Sequence, residues 1–209
     1  MVTKRMFALP LLLLGPSPAQ AREAITAGLK AGVGLSQPFS EMGTGPELEI
    51  EGGYTLPWLG KRLRAVLQVG YQRTGADGSV DDARFAGSPD GGYKWDLSED
   101  ELTIMPAIFG QWWKPGDRRW TPYAALGPRI YMLRTTVNTK SRDTGESFGE
   151  AKEKNTEVGF GLQLGAEYDL WKGALLAELQ MAWSGLDHRI TGESNTGSLG
   201  INLGYRLKF

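Results

Sequence analysis

The pattern that most constrains this chain is an alternation of apolar and polar residues with a period of two, recurring in eight separate segments. Residues two apart share one face of a β-strand, so each segment is a strand with one apolar and one polar face. Ile25 to Ser36 sets Ile25, Ala27, Leu29, Ala31, Val33 and Leu35 against Thr26, Lys30, Ser36 and three glycines. Glu47 to Leu56 sets Leu48, Ile50, Tyr54 and Leu56 against Glu47, Glu49, Glu51 and Thr55. Three carboxylates spaced by two repel one another in a loop or on a helix, whereas on a strand they line one side of a wall. Leu63 to Gln72 places Leu63, Ala65, Leu67, Val69 and Tyr71 opposite Arg64, Gln68 and Gln72.

The next two segments are less regular. In Glu101 to Trp113, Leu102, Ile104, Pro106, Ile108 and Trp112 oppose Thr103, Ala107 and Gln111, but Met105 and Phe109 dilute the polar face. Trp120 to Arg134 carries two prolines, Pro122 and Pro128, which weaken a ladder. Its inward residues are Tyr123, Gly127, Arg129 and Tyr131. The last three are clear. Val158 to Tyr168 opposes Glu157, Gln163 and Glu167; Leu175 to Trp183 opposes Glu178 and Gln180; Leu199 to Phe209 opposes Asn202, Arg206 and Lys208.

A soluble β-sandwich alternates in the same way, so periodicity alone leaves that fold open. The connections separate the two. Those after segments two, four and six are tight, at 57–62, 114–119 and 169–173; the others are longer, with hydrophilic loops expected over 74–100 and 135–155. An even strand number with short turns at one end and long loops at the other is the arrangement of an outer-membrane barrel. Trp58, Trp112, Trp113, Trp120 and Trp171 lie in or beside the short turns, and with Tyr54, Tyr168 and Phe209 they predict an aromatic ring at one membrane boundary. Tyr71, Tyr131 and Trp183 predict a second ring at the opposite strand ends. The fold class is therefore all-β, an eight-stranded antiparallel up-and-down transmembrane β-barrel over 22–209. Both termini are expected in the periplasm, and a monomer is expected, with outer-membrane lipids around it.

The first 21 residues read as a cleaved secretory signal. Lys4 and Arg5 precede an apolar stretch from Met6 to Leu14, and Ala19-Gln20-Ala21 supplies the small residues of a cleavage site. That stretch is far short of the ~20 residues a spanning helix needs. A net charge of -1 leaves no basic footprint for nucleic acid. With no Cys and one His, His188, neither a thiolate site nor a histidine-rich metal site is available, and no cofactor is expected.

Eight strands enclose a space that side chains just fill. Inward glycines, among them Gly28, Gly32, Gly34, Gly53, Gly159, Gly161, Gly165 and Gly200, leave room for longer neighbours. Those neighbours predict a polar network of Lys30, Glu47, Glu49, Glu51, Arg64, Glu101, Arg129, Glu157, Glu167, Glu178 and Arg206. Glu178 is expected to find its cation on the adjacent last strand, at Arg206 or Lys208. Buried charges must be paired, so a sealed plug is one reading and a narrow ion-conducting pore the other.

The eight strands and the ending Leu203-Gly204-Tyr205-Arg206-Leu207-Lys208-Phe209 resemble the small eight-stranded outer-membrane β-barrel superfamily, which includes the transmembrane domain of outer membrane protein A and outer membrane proteins X and W. Trp120-Thr121-Pro122-Tyr123-Ala124-Ala125-Leu126-Gly127 resembles the fifth-strand pattern of many such barrels. The resemblance implies that Tyr205, Leu207 and Phe209 form the signal read by the barrel assembly machinery. It does not carry over a peptidoglycan-binding role, for which no domain is expected after Phe209. Two lipid A-modifying enzymes share the architecture. The deacylase needs a Ser two residues after its His, yet Arg189 and Ile190 follow His188; the palmitoyltransferase pattern would have to use Ser184, His188 and Ser194. The expectation is no catalysis. A structural or cell-surface role, with an extracellular partner met by the loops, stands first; passage of ions or a small ligand, as the likeness to outer membrane protein W implies, is the alternative.

Overall fold

The computed structural model describes residues 24–36, 39–40, 42–81, 92–114, 117–186 and 194–209. The expected leader and His188 lie outside the described residues. Eight strands follow one another: β1 Ile25–Leu35, β2 Thr44–Thr55, β3 Leu63–Asp81, β4 Gly92–Gln111, β5 Trp120–Ser141, β6 Ser147–Leu170, β7 Gly173–Gly185 and β8 Asn195–Lys208. Each pairs antiparallel with its sequence neighbours, and β1 pairs with β8 from Thr26↔Lys208 to Leu35↔Leu199, closing the barrel. Closure leaves no sheet edge inside the barrel, and only helices or closed barrels satisfy every backbone group in lipid.

Inward and outward residues alternate as the period of two requires. Outward lie Leu29, Ile50, Leu67, Ile108, Leu126, Phe160, Leu179 and Leu203, all large, apolar and exposed. In water such a surface would be a large liability; around a barrel it is the lipid-facing belt. Tyr71 and Trp183 are exposed at the ends away from the short turns, as an outer ring requires, but Tyr131 is fully buried. The reason is parity. Tyr131 shares the inward face with Arg129 and Leu133 and cannot also join the ring.

The short turns are built as expected. Pro57 caps a 3-10 turn over Trp58–Lys61, where Leu59, Gly60 and Lys61 have positive φ. Between β6 and β7 only Trp171 and Lys172 intervene, with Trp171 at φ 54°. The long connections differ from the expected loops. Most of 74–100 and 135–155 is strand, so β3 to β6 run 19, 20, 22 and 24 residues while β1, β2, β7 and β8 run 11 to 14. A tilted spanning strand needs about 9–11 residues, so β3 to β6 overshoot the membrane by about ten. Above it, Thr135, Thr136, Val137 and Thr139 supply β-branched residues that favour an extended chain.

Between β4 and β5 the paired register runs down to Ile104↔Ile130 and resumes at Ile108↔Leu126. Pro106 and Pro128 fall opposite one another in that gap, where neither has an N–H to donate.

Candidate functional site

The barrel interior is built by one or more inward residues from every strand. Lys30 on β1 lies 2.5 Å from Glu49 Oε1, 2.9 Å from Glu178 Oε1 and 3.6 Å from Glu51 Oε2. Arg206 on β8 donates from Nε and Nη2 to the two carboxylate oxygens of Glu51, and from Nη1 to Glu167. Arg64 on β3 reaches the same Glu167 at 3.0 Å. Arg129 on β5 pairs with Glu101 at 3.3 Å and Glu47 at 3.6 Å. All ten of these side chains are buried. Glu157 is only half-buried, and none of the described ion pairs includes it.

Glu178 takes partners from across the lumen rather than from β8. Its β8 neighbour is Asn202, while Arg206 sits opposite Ala174, four residues lower on β7. Glu178 instead accepts from Lys30 Nζ and, at 2.7 Å, from the Tyr123 hydroxyl. Lys208 pairs with Glu167 at 3.2 Å and Asp169 at 2.5 Å.

Several members of the network were legible only as inward positions. Gln68 and Gln163 exchange amide hydrogen bonds of 2.9 and 3.0 Å, Gln163 also donates to Gln180, and Gln180 donates to Glu47. Asn202 donates to Glu47 as well. Amide chains of this kind satisfy carboxylate lone pairs that the four cations cannot reach. Two of the inward glycines make room for network residues. A Cβ at Gly28 would stand 2.8 Å from Glu51 Cγ, and one at Gly165 2.5 Å from Tyr123 Cζ.

The interior is less uniformly charged than its sequence suggests. Toward the short turns, Val66, Met105, Ala107, Phe109, Tyr123, Ala125 and Leu176 form a buried apolar cluster, with the Arg206 guanidinium 4.9 Å above the Phe109 ring. Toward the opposite end, Tyr131, Leu133, Ala182 and Leu186 form a second one. These clusters interleave with the ion pairs, since Arg64 stands opposite Phe109, Glu167 opposite Leu176 and Glu101 opposite Leu133. Among the described residues, seven carboxyl groups (Glu47, Glu49, Glu51, Glu99, Glu101, Glu167 and Glu178) and four cations (Lys30, Arg64, Arg129 and Arg206) are buried, and Glu99 accepts from the Thr135 hydroxyl at 2.7 Å.

The second candidate surface is the sheet that β3 to β6 raise beyond the belt. β7 pairs with β6 only from Phe160 onward, so among the described residues Ser147–Val158 have β5 as their sole strand neighbour. At the other side, β2 leaves β3 after Gln72, and a Gly43 N–H still bonds the Gly75 carbonyl. Ion pairs brace the sheet from outside, Arg142–Asp81 at 2.5 Å and Lys152–Glu150 at 2.9 Å. The expected assembly residues lie at the closing seam. The Phe209 N–H donates to the Ile25 carbonyl at 2.9 Å, the Tyr205 hydroxyl donates to the Leu170 carbonyl at 2.8 Å, and Leu207 and Phe209 are exposed to lipid.

A closed eight-stranded barrel with an apolar exterior, aromatic turns and an ion-paired interior defines an integral outer-membrane β-barrel. The chain belongs to the outer membrane protein beta-barrel domain family, whose profile matches residues 7–206. Among solved structures, a major outer membrane protein from Thermus thermophilus superposes with a TM-score of 0.55 at 12% identity, over 89% of this chain and 100% of that one. Outer membrane protein OprG from Pseudomonas aeruginosa gives 0.52 at 12% identity, over 91% and 98%. Neisserial surface protein A gives 0.48 at 19% identity, over 88% and 96%. A comparison of the sequence with curated proteins returns no match.

Proposed function

We propose that this is a sealed, non-enzymatic outer-membrane barrel that acts outside the cell, through the sheet formed by the upper parts of β3 to β6. The observation that carries this reading is the length of β3 to β6, which continue about ten residues beyond the apolar belt. Over Ser147–Val158 the side chains of β6 are largely in solvent on both faces, the charged Glu150, Lys152 and Lys154 among them. A polar sheet carried clear of the membrane is a surface that another polypeptide can bind.

In this reading residues 1–21 direct export, Tyr205, Leu207 and Phe209 are read by the barrel assembly machinery, and the monomeric barrel stands with its short turns and both termini in the periplasm. The ion-paired interior locks the strands rather than conducting.

Two measurements test the reading separately. The chain has no Cys, so Ala151→Cys and Trp171→Cys each create a unique thiol. A membrane-impermeant maleimide should label the first on intact cells and the second only after permeabilisation; the reverse result would invert the orientation. A variant lacking 138–150 should insert normally but leave cells with reduced adherence to immobilised extracellular protein. Undiminished adherence would remove the protruding sheet from the function.

A further inference from the structure

The belt is not uniformly smooth. Where β2 to β5 approach the short turns, Gly52, Ala65 and Pro106 form a low floor between Leu67, Ile108 and Leu126, leaving an open apolar groove of about 580 Å³ on the lipid face. Pro128 continues the floor along the interrupted β4–β5 seam. A Cβ built at Gly52 would meet nothing within 4 Å, so this space is open.

The foot of the groove is basic. The β2–β3 turn carries Lys61 and Arg62, and the β4–β5 turn carries Lys114, Arg118 and Arg119, against one acid, Asp117. These turns are joined. The Gln111 N–H donates to the Arg62 carbonyl at 2.9 Å, and Lys114 lies over the β2–β3 turn so closely that a Cβ at Gly60 would stand 2.9 Å from its Cε. Arg118 packs over the Trp113 ring at 4.7 Å, and Trp113 meets Trp120 edge-on at 5.7 Å, so the indoles anchor this corner at the interface depth. None of the described ion pairs engages Lys61, Arg62, Lys114, Arg118 or Arg119. Unneutralised cations at headgroup level directly below an acyl-sized groove match one class of molecule.

We propose that this corner is a binding site for an anionic phospholipid of the surrounding leaflet, with its phosphate held by the β2–β3 and β4–β5 turns and an acyl chain lying along the Gly52–Pro106 groove. The proposal rests on the lipid-facing belt and is independent of which way the barrel faces. A zwitterionic lipid offers the same chain but returns a positive charge to the basic turns, so the site selects by headgroup. Each basic side chain near a lipid surface contributes roughly a factor of five, and two acting together contribute well over tenfold.

The test is native mass spectrometry of the intact mature protein, released from detergent carrying equal amounts of phosphatidylglycerol and phosphatidylcholine. The wild type should retain one phosphatidylglycerol in preference to phosphatidylcholine by roughly tenfold or more. Arg62→Gln with Lys114→Gln should abolish that preference, whereas Lys172→Gln, on the remote β6–β7 turn, should leave it intact. Gly52→Leu fills open space on the lipid face, so it should fold normally and lose retention of both lipids. Heat-modifiable migration on a gel reports folding for each variant independently. Equal retention of the two lipids by the wild type, a preference surviving the double substitution, or full retention in Gly52→Leu would each overturn the site.

Discussion

Arg206 occupies a position where three strands depend on one side chain. It bonds Glu51 of β2 and Glu167 of β6 from β8, with its guanidinium against Phe109 and Tyr123. The interior already holds more carboxyl groups than cations, so loss of a cation and loss of an anion are not equivalent. Arg206→Ala leaves two carboxylates without their main partner, at a cost of about 3–5 kcal/mol, the range for breaking a buried pair from one side. Glu178→Ala leaves Lys30 still beside Glu49 and Glu51 and strands only the Tyr123 hydroxyl. That substitution should cost less, about 1–3 kcal/mol. Urea titrations of folding into lipid vesicles give both numbers, and the reverse ranking would show that the carboxylate excess does not govern the interior. The alternation made each of these residues recognisable as inward. Their pairing was not recognisable, because the height at which two inward residues meet across a lumen is set by strand stagger. That is why Glu178 reaches Lys30 on β1 and not Arg206 beside it.

At the scale of the strand, β6 passes from lipid to water along its own length. Leu164 is 49% exposed in the belt, while Ala151 is exposed in the protruding sheet. A cation on the lipid face near mid-membrane costs about 2–4 kcal/mol. A surface substitution away from special features stays within about 0.5 kcal/mol. Leu164→Arg should therefore lower folding stability in vesicles severely, and Ala151→Arg should be almost silent. Equal effects would mean that the belt extends far above the position assigned to it. The same contrast explains which parts of the fold were legible. Val158, Phe160, Leu162 and Leu164 alternate with Gly159, Gly161 and Gln163 because one face meets lipid and the other the lumen. Above Val158 both faces meet water, the contrast disappears, and Lys152, Glu153, Lys154 and Asn155 read as a loop although they form a regular ladder with β5. Period-two reasoning detects a difference between faces, and hydrogen bonding continues without one. The apolar clusters of the lumen were legible in part, since Met105 and Phe109 already stood out on the polar face; what the alternation did not give is that Val66, Tyr123 and Leu176 gather around them.

For the whole molecule the question is whether a barrel so filled can conduct. A pore needs a continuous polar path. Here the ion pairs are interleaved with apolar side chains, Phe109, Tyr123, Val66 and Leu176 on the turn side and Tyr131, Leu133, Ala182 and Leu186 on the other. An ion would have to shed its water to pass these side chains, and would meet carboxylates already engaged by Lys30, Arg129 and Arg206. The wild type should show no steady conductance in planar bilayers. Leu133→Ser and Leu176→Ser together exchange one residue of each apolar cluster for a hydroxyl and remove bulk from both. Any current they admit must cross a region in which Glu47, Glu49, Glu51, Glu99, Glu101, Glu167 and Glu178 outnumber the buried cations. Rings of carboxylates favour cations over anions. Reversal potentials under a salt gradient should therefore lie on the cation side. Stable openings in the wild type would refute the seal, and anion selectivity in the double variant would refute the charge balance assigned to the interior.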